Sequence, residues 1–375
     1  MTKLAMKNLK KRPSHRTVLF GTGTARSGGS LVCNLLSVRK DYGVTTDMLH
    51  FFRFIFNKYN PINIRNKKLL VLELCLRLKY RFKINLNPKI VIKKIIKLNT
   101  YLDIYLTIID FLKKITKKKY YGEYANSEWR NVSTFLELDK NFKAFQIIRD
   151  PRAVLTSFKE ITFEKNLKYF NIIFDWIDSI NYLKKNKKKY KASRFIDIKF
   201  EDIHNNPIKT SKKFCKFLNV KFHSRMLDTK LWPLLLKNKI YQVNISNYNQ
   251  KKTFGFSKQR TLNWKKRIKN WELALVQDLL NKYLKEFKYD ILATNKSHLK
   301  EAYKIISKDK ELLKKIIKFK KKNIVDYKKL RDPSNPKNWS ATNFVKYPNK
   351  KFSETSDYKK YIKEFDLVKN QIERI

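Results

Sequence analysis

A loop of small residues near the start of the chain has the composition of an anion-binding site. It runs from Thr24 to Ser30 and reads TARSGGS. Glycines let the backbone curl so that successive N–H groups converge on one anion, and a helix that follows adds the partial positive charge of its first turn. Arg26 contributes a cation, and Ser27 and Ser30 contribute hydroxyl donors. The loop therefore predicts a phosphate or sulfate site, with an ordinary glycine–serine turn as the alternative.

A second candidate anion site lies further along the chain, in the segment IIRDPRAVLTSF. Arg149 stands where a predicted strand ends, and Ser157 lies about two turns along the helix that follows. Ligands of open α/β sheets bind at the carboxyl ends of the strands, and both side chains can point there. This pattern predicts a second phosphate site, unless Arg149 simply pairs with an acid.

Three short apolar runs predict the strands that position these loops, at Thr17–Gly21, Phe142–Ile148 and Arg194–Phe200. A helix through Ser37 follows the first run. Asp150-Pro151 begins a helix after the second, because aspartate is a good N-cap and proline a good first helical residue. Strand, loop and helix in succession form the opening of an α/β nucleotide-binding unit. We therefore predict an α/β fold in which helices flank a central parallel sheet.

Helical periodicity accounts for much of the remaining chain. The basic segment 58–116 reads as a helical insertion, and Leu98–Leu112 has apolar residues at i, i+3 and i+4 spacing. Asp103 and Asp110 interrupt this run, which indicates an amphipathic core helix rather than a membrane span. Residues 271–287 have one apolar face and predict a further helix.

The two anion loops together resemble the sulfotransferase family, whose enzymes use 3′-phosphoadenosine 5′-phosphosulfate (PAPS). The resemblance spans roughly residues 16–290 and implies a P-loop-like fold. It assigns the 5′-phosphosulfate to the first loop, at Arg26, Ser27, Gly28, Gly29 and Ser30. It assigns the 3′-phosphate to Arg149 and Ser157. The later segment FSKQRTLNW is similar to a family segment that closes over the nucleotide, which implies further 3′-phosphate contacts from Lys258 and Arg260.

The resemblance implies in-line transfer of a sulfuryl group to an acceptor hydroxyl, without a metal. Arg26 would neutralise the charge that develops on the leaving 5′-phosphate. Asp47, 21 residues after Arg26, resembles the acidic base of tyrosylprotein sulfotransferases, where the residue is normally glutamate. Glu123, 26 residues before Arg149, is the second candidate base. It stands where that subgroup has a lysine that stabilises the transition state, so either Glu123 takes a different role or a neighbour such as Lys119 supplies the cation.

Two further alternatives concern the identity of the base and the class of reaction. His50 is a third candidate base, since cytosolic relatives use histidine. A small-molecule kinase is a rival enzyme class, but it would need a lysine after the glycines and an acid that holds Mg²⁺. The loop has no such lysine.

The charge of the chain indicates an anionic partner without identifying it. The 375 residues include 86 Lys+Arg and 32 Asp+Glu, which gives a net charge of +54. Lysine, at 69 residues against 17 arginines, is spread along the whole chain, whereas phosphate and base recognition favour the planar fork of arginine. We therefore expect no specific nucleic-acid partner. A polyanion binder, or a family member that has lost catalysis, remains an alternative.

Composition also bounds the organisation and location of the protein. The three cysteines form no CxxC pair, the histidines form no metal-ligand spacing, and the basic N-terminus has no apolar signal segment. These features predict a cytoplasmic protein without a metal or a transmembrane segment. We divide the chain into a lead (1–15), a sulfotransferase domain (16–294) and a lysine-rich extension (295–375). The insertion would shape the cleft for a larger acceptor, such as a glycan or a polar lipid.

Overall fold

The structure is a computed structural model that describes residues 18–160, 166–236, 255–323, 325 and 352–373. The basic lead over residues 1–15 and part of the lysine-rich extension (295–375) lie outside the described residues.

Five parallel strands form the sheet of the described chain, in the order β2-β3-β1-β4-β5. Their bounds are Leu19–Gly23 (β1), Tyr42–Thr46 (β2), Tyr120–Asn126 (β3), Lys143–Ile148 (β4) and Phe195–Lys199 (β5). The central strand β1 is buried along its whole length, as expected for a parallel sheet covered on both faces. The predicted α/β fold with a parallel sheet is confirmed.

Helices cover both faces of the sheet. In chain order they are Gly29–Ser37 (α1), Phe51–Phe54 (α2), Ile64–Phe82 (α3), Pro88–Ile95 (α4), Tyr101–Thr116 (α5), Val132–Leu138 (α6), Pro151–Lys159 (α7), Asn171–Lys189 (α8), Phe200–Asn205 (α9), Pro207–Leu218 (α10), Trp232–Leu235 (α11), Lys258–Leu262 (α12), Asn270–Glu286 (α13), Lys296–Ile306 (α14), Lys310–Lys322 (α15) and Ser356–Glu373 (α16). No helix of the described residues is long and apolar enough to cross a membrane.

The predicted strands at β1, β4 and β5 are present, each within two residues of its expected bounds. Strands β2 and β3 were not predicted. They read YGVTT and YYGEYAN, and such glycine-containing, polar sequences are typical of loops. Burial decides their conformation, because all of β2 and the middle of β3 are buried. Strand β3 lies between β1 and β2, and β2 forms the end of the sheet beside it.

The helical insertion comprises α3, α4 and α5, and its capping residues explain where these helices begin. The side chains of Asn63, Asn87 and Thr100 each accept a hydrogen bond from a backbone N–H in the first turn of α3, α4 and α5. Such caps satisfy donors that have no partner inside the helix. Buried faces of α3 and α5 then join the main hydrophobic core, so the insertion is part of the fold.

The segment after residue 295 also packs into this core. Apolar side chains of α14, α15 and α16 belong to the main hydrophobic cluster, among them Ala302, Ile306, Leu312, Ile316, Phe319 and Tyr361. Helix α16 lies on α3, where Glu364 accepts hydrogen bonds from Lys79 and Tyr80. The division of the chain by function stays a prediction, but the packing is continuous across residue 295.

Two neighbouring isoleucines of α15 test this packing. Ile316 is 0% exposed and Ile317 is 43% exposed. We expect Ile316→Ala to lower the free energy of unfolding by about 2–5 kcal/mol, because it removes buried methyl groups and leaves a cavity. Ile317→Ala should change it by less than about 1 kcal/mol. Urea denaturation measures both values, and equal small losses would contradict the docking of α15.

Candidate active site

The carboxyl ends of the strands bring the predicted site residues to one edge of the sheet. The loop after β1 and Arg149 after β4 lie side by side, because β1 and β4 are neighbours. From β1 the chain continues to β2 and β3 on one side and to β4 and β5 on the other. This divergence is the switch point at which open α/β sheets bind ligands. Asp47, directly after β2, lies at the same edge.

The loop after β1 is a tight turn that enters α1. The amide of Ser27 donates to the carbonyl oxygen of Thr24 over 3.1 Å, and φ is positive at both Arg26 (71°) and Gly28 (103°). A Cβ at Gly28 would lie 2.4 Å from the ring of Phe200, so the position requires glycine. The Ser27 hydroxyl is buried and has no hydrogen-bond partner among the described residues.

Arg149 connects β4 to this loop. Its Nη1 donates to the carbonyl oxygen of Arg26 over 2.7 Å, and its guanidinium lies 4.2 Å from the ring centroid of Phe200. Its own carbonyl oxygen accepts from the indole of Trp176 at 2.8 Å. Burial lowers the pKa of Arg149 to about 10, and Arg26 adds to this effect while Glu201 opposes it. The Nε of Arg149 is buried without a partner in the described chain.

The two predicted anion loops are in direct contact. The Nε of Arg26 donates to the hydroxyl of Ser157 over 3.1 Å, and Ser157 is buried on α7. Asp150 caps that helix by accepting from the amide of Arg152, which confirms the predicted helix start. One edge of the sheet thus carries two guanidinium groups, two hydroxyls and the first turn of α1.

The segment predicted to close over the nucleotide lies beside Arg149. Lys258 is exposed at the start of α12, and Arg260 is partly buried. Burial lowers the pKa of His204 to about 4, and the positive charges of Arg260 and Arg149 lower it further. His204 is therefore neutral at pH 7, and its Nδ1 accepts from the amide of Ser257 at 3.3 Å. The sequence did not single out His204, because a lone histidine carries no spacing signal.

Asp47 is held with its carboxylate near the same edge. Asn126, the last residue of β3, donates to it through its backbone N–H (2.7 Å) and its side-chain amide (2.5 Å). The Nε2 of His50 lies 3.0 Å from the same carboxylate. The side chain of Asp47 is 17% exposed, so the carboxylate is fixed in position and still accessible.

His50 bridges two carboxylates. Its Nδ1 lies 2.8 Å from Glu128, opposite the contact with Asp47. Burial by itself lowers the pKa of His50, but the hydrogen bonds with Asp47 and Glu128 outweigh burial and raise it. The sequence pointed to His50 without its partner Glu128. Within the described ranges, no group of His, Cys, Asp or Glu could hold a metal ion.

Glu123 lies beneath this loop, in the middle of β3 and fully buried. Its Oε1 accepts from the amides of Leu49 (2.5 Å) and His50 (2.9 Å), and its Oε2 has no partner among the described residues. Burial raises the pKa of Glu123 to about 7, against the opposing effect of His50. These contacts hold the backbone at Leu49 and His50. A catalytic role for Glu123 stays a prediction. Lys119 directly precedes β3, so it lies at the amino end of that strand, away from the loop after β2.

The fold is that of a P-loop-like α/β protein, and the candidate anion site lies at its switch point. The sequence model of the sulfotransferase family matches residues 19–224, which is more than half of the chain. The chain therefore belongs to the sulfotransferase family, whose members transfer a chemical group. The predicted family is confirmed.

Several solved structures are similar to the chain. The sulfotransferase domain of the olefin synthase of Synechococcus PCC 7002 is 19% identical, covers 75% of this chain and 99% of its own, and has a TM-score of 0.52. The sulfotransferase domain of the curacin biosynthetic pathway is 14% identical. The match covers 74% of this chain and 99% of that domain, with a TM-score of 0.48. Mouse sulfotransferase SULT7A1 complexed with PAP is 12% identical. The match covers 72% of this chain and 85% of the mouse chain, with a TM-score of 0.39. Because its sequence identity is only 19%, the similarity to the olefin synthase domain shows the fold alone. No curated protein matches the chain.

The buried carboxyl of Glu123 predicts a specific pH dependence of stability. Because its pKa is higher in the folded than in the unfolded chain, its contribution is full below the unfolded pKa and is lost as pH rises to about 7. Glutamine keeps the accepting oxygen and cannot ionise. We expect the stability of Glu123→Gln relative to wild type to increase by roughly 2–3 kcal/mol between pH 5 and pH 8 in urea denaturation.

Glu137→Gln is the control for this experiment. The hydrogen bond from Lys189 lowers the pKa of the Glu137 carboxyl, so this pKa, unlike that of Glu123, is not moved into the tested pH range. The difference between Glu137→Gln and wild type should therefore be constant over the same range. Parallel stability curves for Glu123→Gln and wild type would contradict the burial of an ionisable group at position 123.

Proposed function

We propose that the protein transfers the sulfuryl group of PAPS to a hydroxyl group of an acceptor. The observation that carries this proposal is the pair of unpartnered buried donors at the switch point, the Nε of Arg149 and the hydroxyl of Ser27. Buried polar atoms normally have a partner. Two such atoms beside a helix N-terminus and a second guanidinium favour an anion as that partner.

The charges around these donors support the same conclusion. Arg26 and Arg149 lie close enough for Arg26 to lower the pKa of Arg149, and Arg260 and Arg149 both act on His204. Several like charges in a partly buried site repel one another, and a bound phosphate would turn this repulsion into attraction. A neutral His204 adds no further cation. The residues present therefore fit a ligand with several negative charges, as PAPS has.

Each predicted group has a role that its position allows. Ser27, Ser30 and the amides at Gly28 and Gly29 would bind the 5′-phosphosulfate, with Arg26 placed to offset the charge that develops on the leaving phosphate. Arg149, Ser157 and Arg260 would bind the 3′-phosphate. Lys258, which is exposed, would contact the nucleotide from the surface of α12.

Asp47 is the base in this proposal. During transfer, the acceptor oxygen bonds to sulfur, the bond between sulfur and the 5′-phosphate oxygen breaks, and the acceptor's proton passes to Asp47. The contacts from Asn126 and His50 fix the direction of the carboxylate, which a general base needs. We expect the acceptor to be a glycan or a polar lipid, since the insertion packs beside Asp47 and would shape a large cleft. The cytoplasmic location stays a prediction.

Calorimetric titration with 3′-phosphoadenosine 5′-phosphate (PAP) tests nucleotide binding. We expect one PAP per chain, with an affinity that survives high salt. Arg149→Ala should weaken binding by roughly 100-fold, because it removes a buried charge from an ion pair. Ser157→Ala should weaken it by about tenfold. The exposed Arg225 on the same protein provides a control of equal charge, and Arg225→Ala should leave the affinity within about twofold.

Two results would overturn the nucleotide proposal. One is the absence of PAP binding by the wild-type protein. The other is an affinity that falls steeply with salt and equally in Arg149→Ala and Arg225→Ala, because a polyanion binder depends on total charge.

Asp47→Asn tests the base. We expect it to lower the transfer of labelled sulfate from PAPS to octyl β-glucoside and to water by roughly 10²–10⁴-fold, since the amide cannot take the proton. The affinity for PAP should stay within about threefold. Asp366→Asn, at an exposed aspartate of α16, is the matched control. Unchanged transfer in Asp47→Asn would exclude Asp47 as the base, and a wild-type protein that binds PAP without transfer would favour a member that has lost catalysis.

A further inference from the structure

We propose that Arg77, in the helical insertion, is a positioning residue for Asp47. Together with Glu123, it would hold the backbone of residues 47–50 in the conformation that presents the carboxylate. The inference rests on the role proposed above for Asp47. It gives the insertion a part in the reaction itself, in addition to shaping the cleft.

The loop from Asp47 to His50 needs external support. Its first and last residues have φ values of 55° and 50°, in the left-handed region that side chains other than glycine disfavour. Each such residue costs on the order of 1–2 kcal/mol. Two of them within four residues persist only where the surrounding contacts determine the backbone.

Arg77 binds the first half of the loop. It is 0% exposed. Its Nη2 donates to the carbonyl oxygen of Asp47 at 3.0 Å, and its Nε donates to that of Met48 at 2.9 Å. Its guanidinium also lies 5.1 Å from the ring centroid of Phe54. Two donors in one plane, with an aromatic ring against that plane, fix both carbonyl groups in direction as well as distance.

Glu123 binds the second half of the loop from β3. One carboxylate oxygen accepts both the amide of Leu49 and that of His50. The carbonyls of the first two residues thus face a buried cation, and the amides of the last two face a buried carboxyl group. The partial negative charge of the carbonyl oxygens therefore faces the cation, and the partial positive charge of the amides faces the carboxyl group. The side chain of Asp47 is then aligned by Asn126, whose strand also carries Glu123.

The choice of side chain supports a positional role. Burying a guanidinium costs several kcal/mol of desolvation, which an apolar residue would avoid. Lysine could satisfy the charge, but its single ammonium group cannot reproduce the planar fork across two successive carbonyls. Arg77→Lys therefore removes the geometry and keeps the charge, which makes it the informative substitution.

A double-mutant cycle tests the proposal. We expect Arg77→Lys to lower the rate of sulfate transfer from PAPS to octyl β-glucoside and water by roughly 10–100-fold, since small misplacements of a catalytic group have effects of this size. The affinity for PAP should stay within about threefold. In the Asp47→Asn background, Arg77→Lys should cause no further loss, because its effect acts through Asp47. Arg65→Lys, at an exposed arginine of α3, is the matched control.

Amide hydrogen exchange of residues 47–50 provides a second readout that needs no turnover. Arg77→Lys should speed this exchange by about tenfold or more while Arg65→Lys leaves it unchanged. Additive losses in the cycle, or unchanged exchange in Arg77→Lys, would overturn the positioning role. Unchanged transfer in Asp47→Asn would instead overturn the proposed base, so the two failures are distinguishable.

Discussion

The hydrogen bond from Arg149 to the carbonyl oxygen of Arg26 is the contact on which the candidate site depends. It joins the residue after β4 to the left-handed turn after β1, where the chain connections diverge. Phe200 lies against the guanidinium and also fills the space that a Cβ at Gly28 would need. A cation, an aromatic ring and a glycine therefore constrain one another, and a change in any of them alters the anion loop.

Asp47, the proposed base, is held in a similar way, because charged or ionisable side chains bind the backbone groups of its loop. Glu123 and Arg77 bind amides and carbonyls of the loop around Asp47, as Arg149 binds a carbonyl of the anion loop. Each contact places a charged group in a site of low polarity, where hydrogen bonds are strong and misplaced groups are costly. Rigid loops at the end of a sheet are the result, and they leave Asp47 and the anion donors fixed relative to each other.

The sequence predicted the fold and the positions of the two candidate anion loops better than the surroundings of Asp47. Strands β1 and β4 are apolar runs, and the glycines, Arg26, Arg149 and Ser157 lie in short local motifs, so spacing alone locates them. Strand β3 contains Gly122 and Glu123 and is a strand because neighbouring elements bury it. The partners of Asp47 come from α3 and from the end of β3, far apart in the chain. Contacts set by tertiary packing leave no periodic signal in a single sequence.

The packing of α16 on α3 has a consequence for the order of biosynthesis. Glu364 binds Lys79 and Tyr80, and Tyr361 is buried in the same core, so α16 covers a helix made nearly three hundred residues earlier. Because chains fold from the N-terminus as they are synthesised, α3 lacks this cover until α16 has been made. A translation product that stops before α16 would expose the apolar surface of α3, which chaperones and proteases recognise.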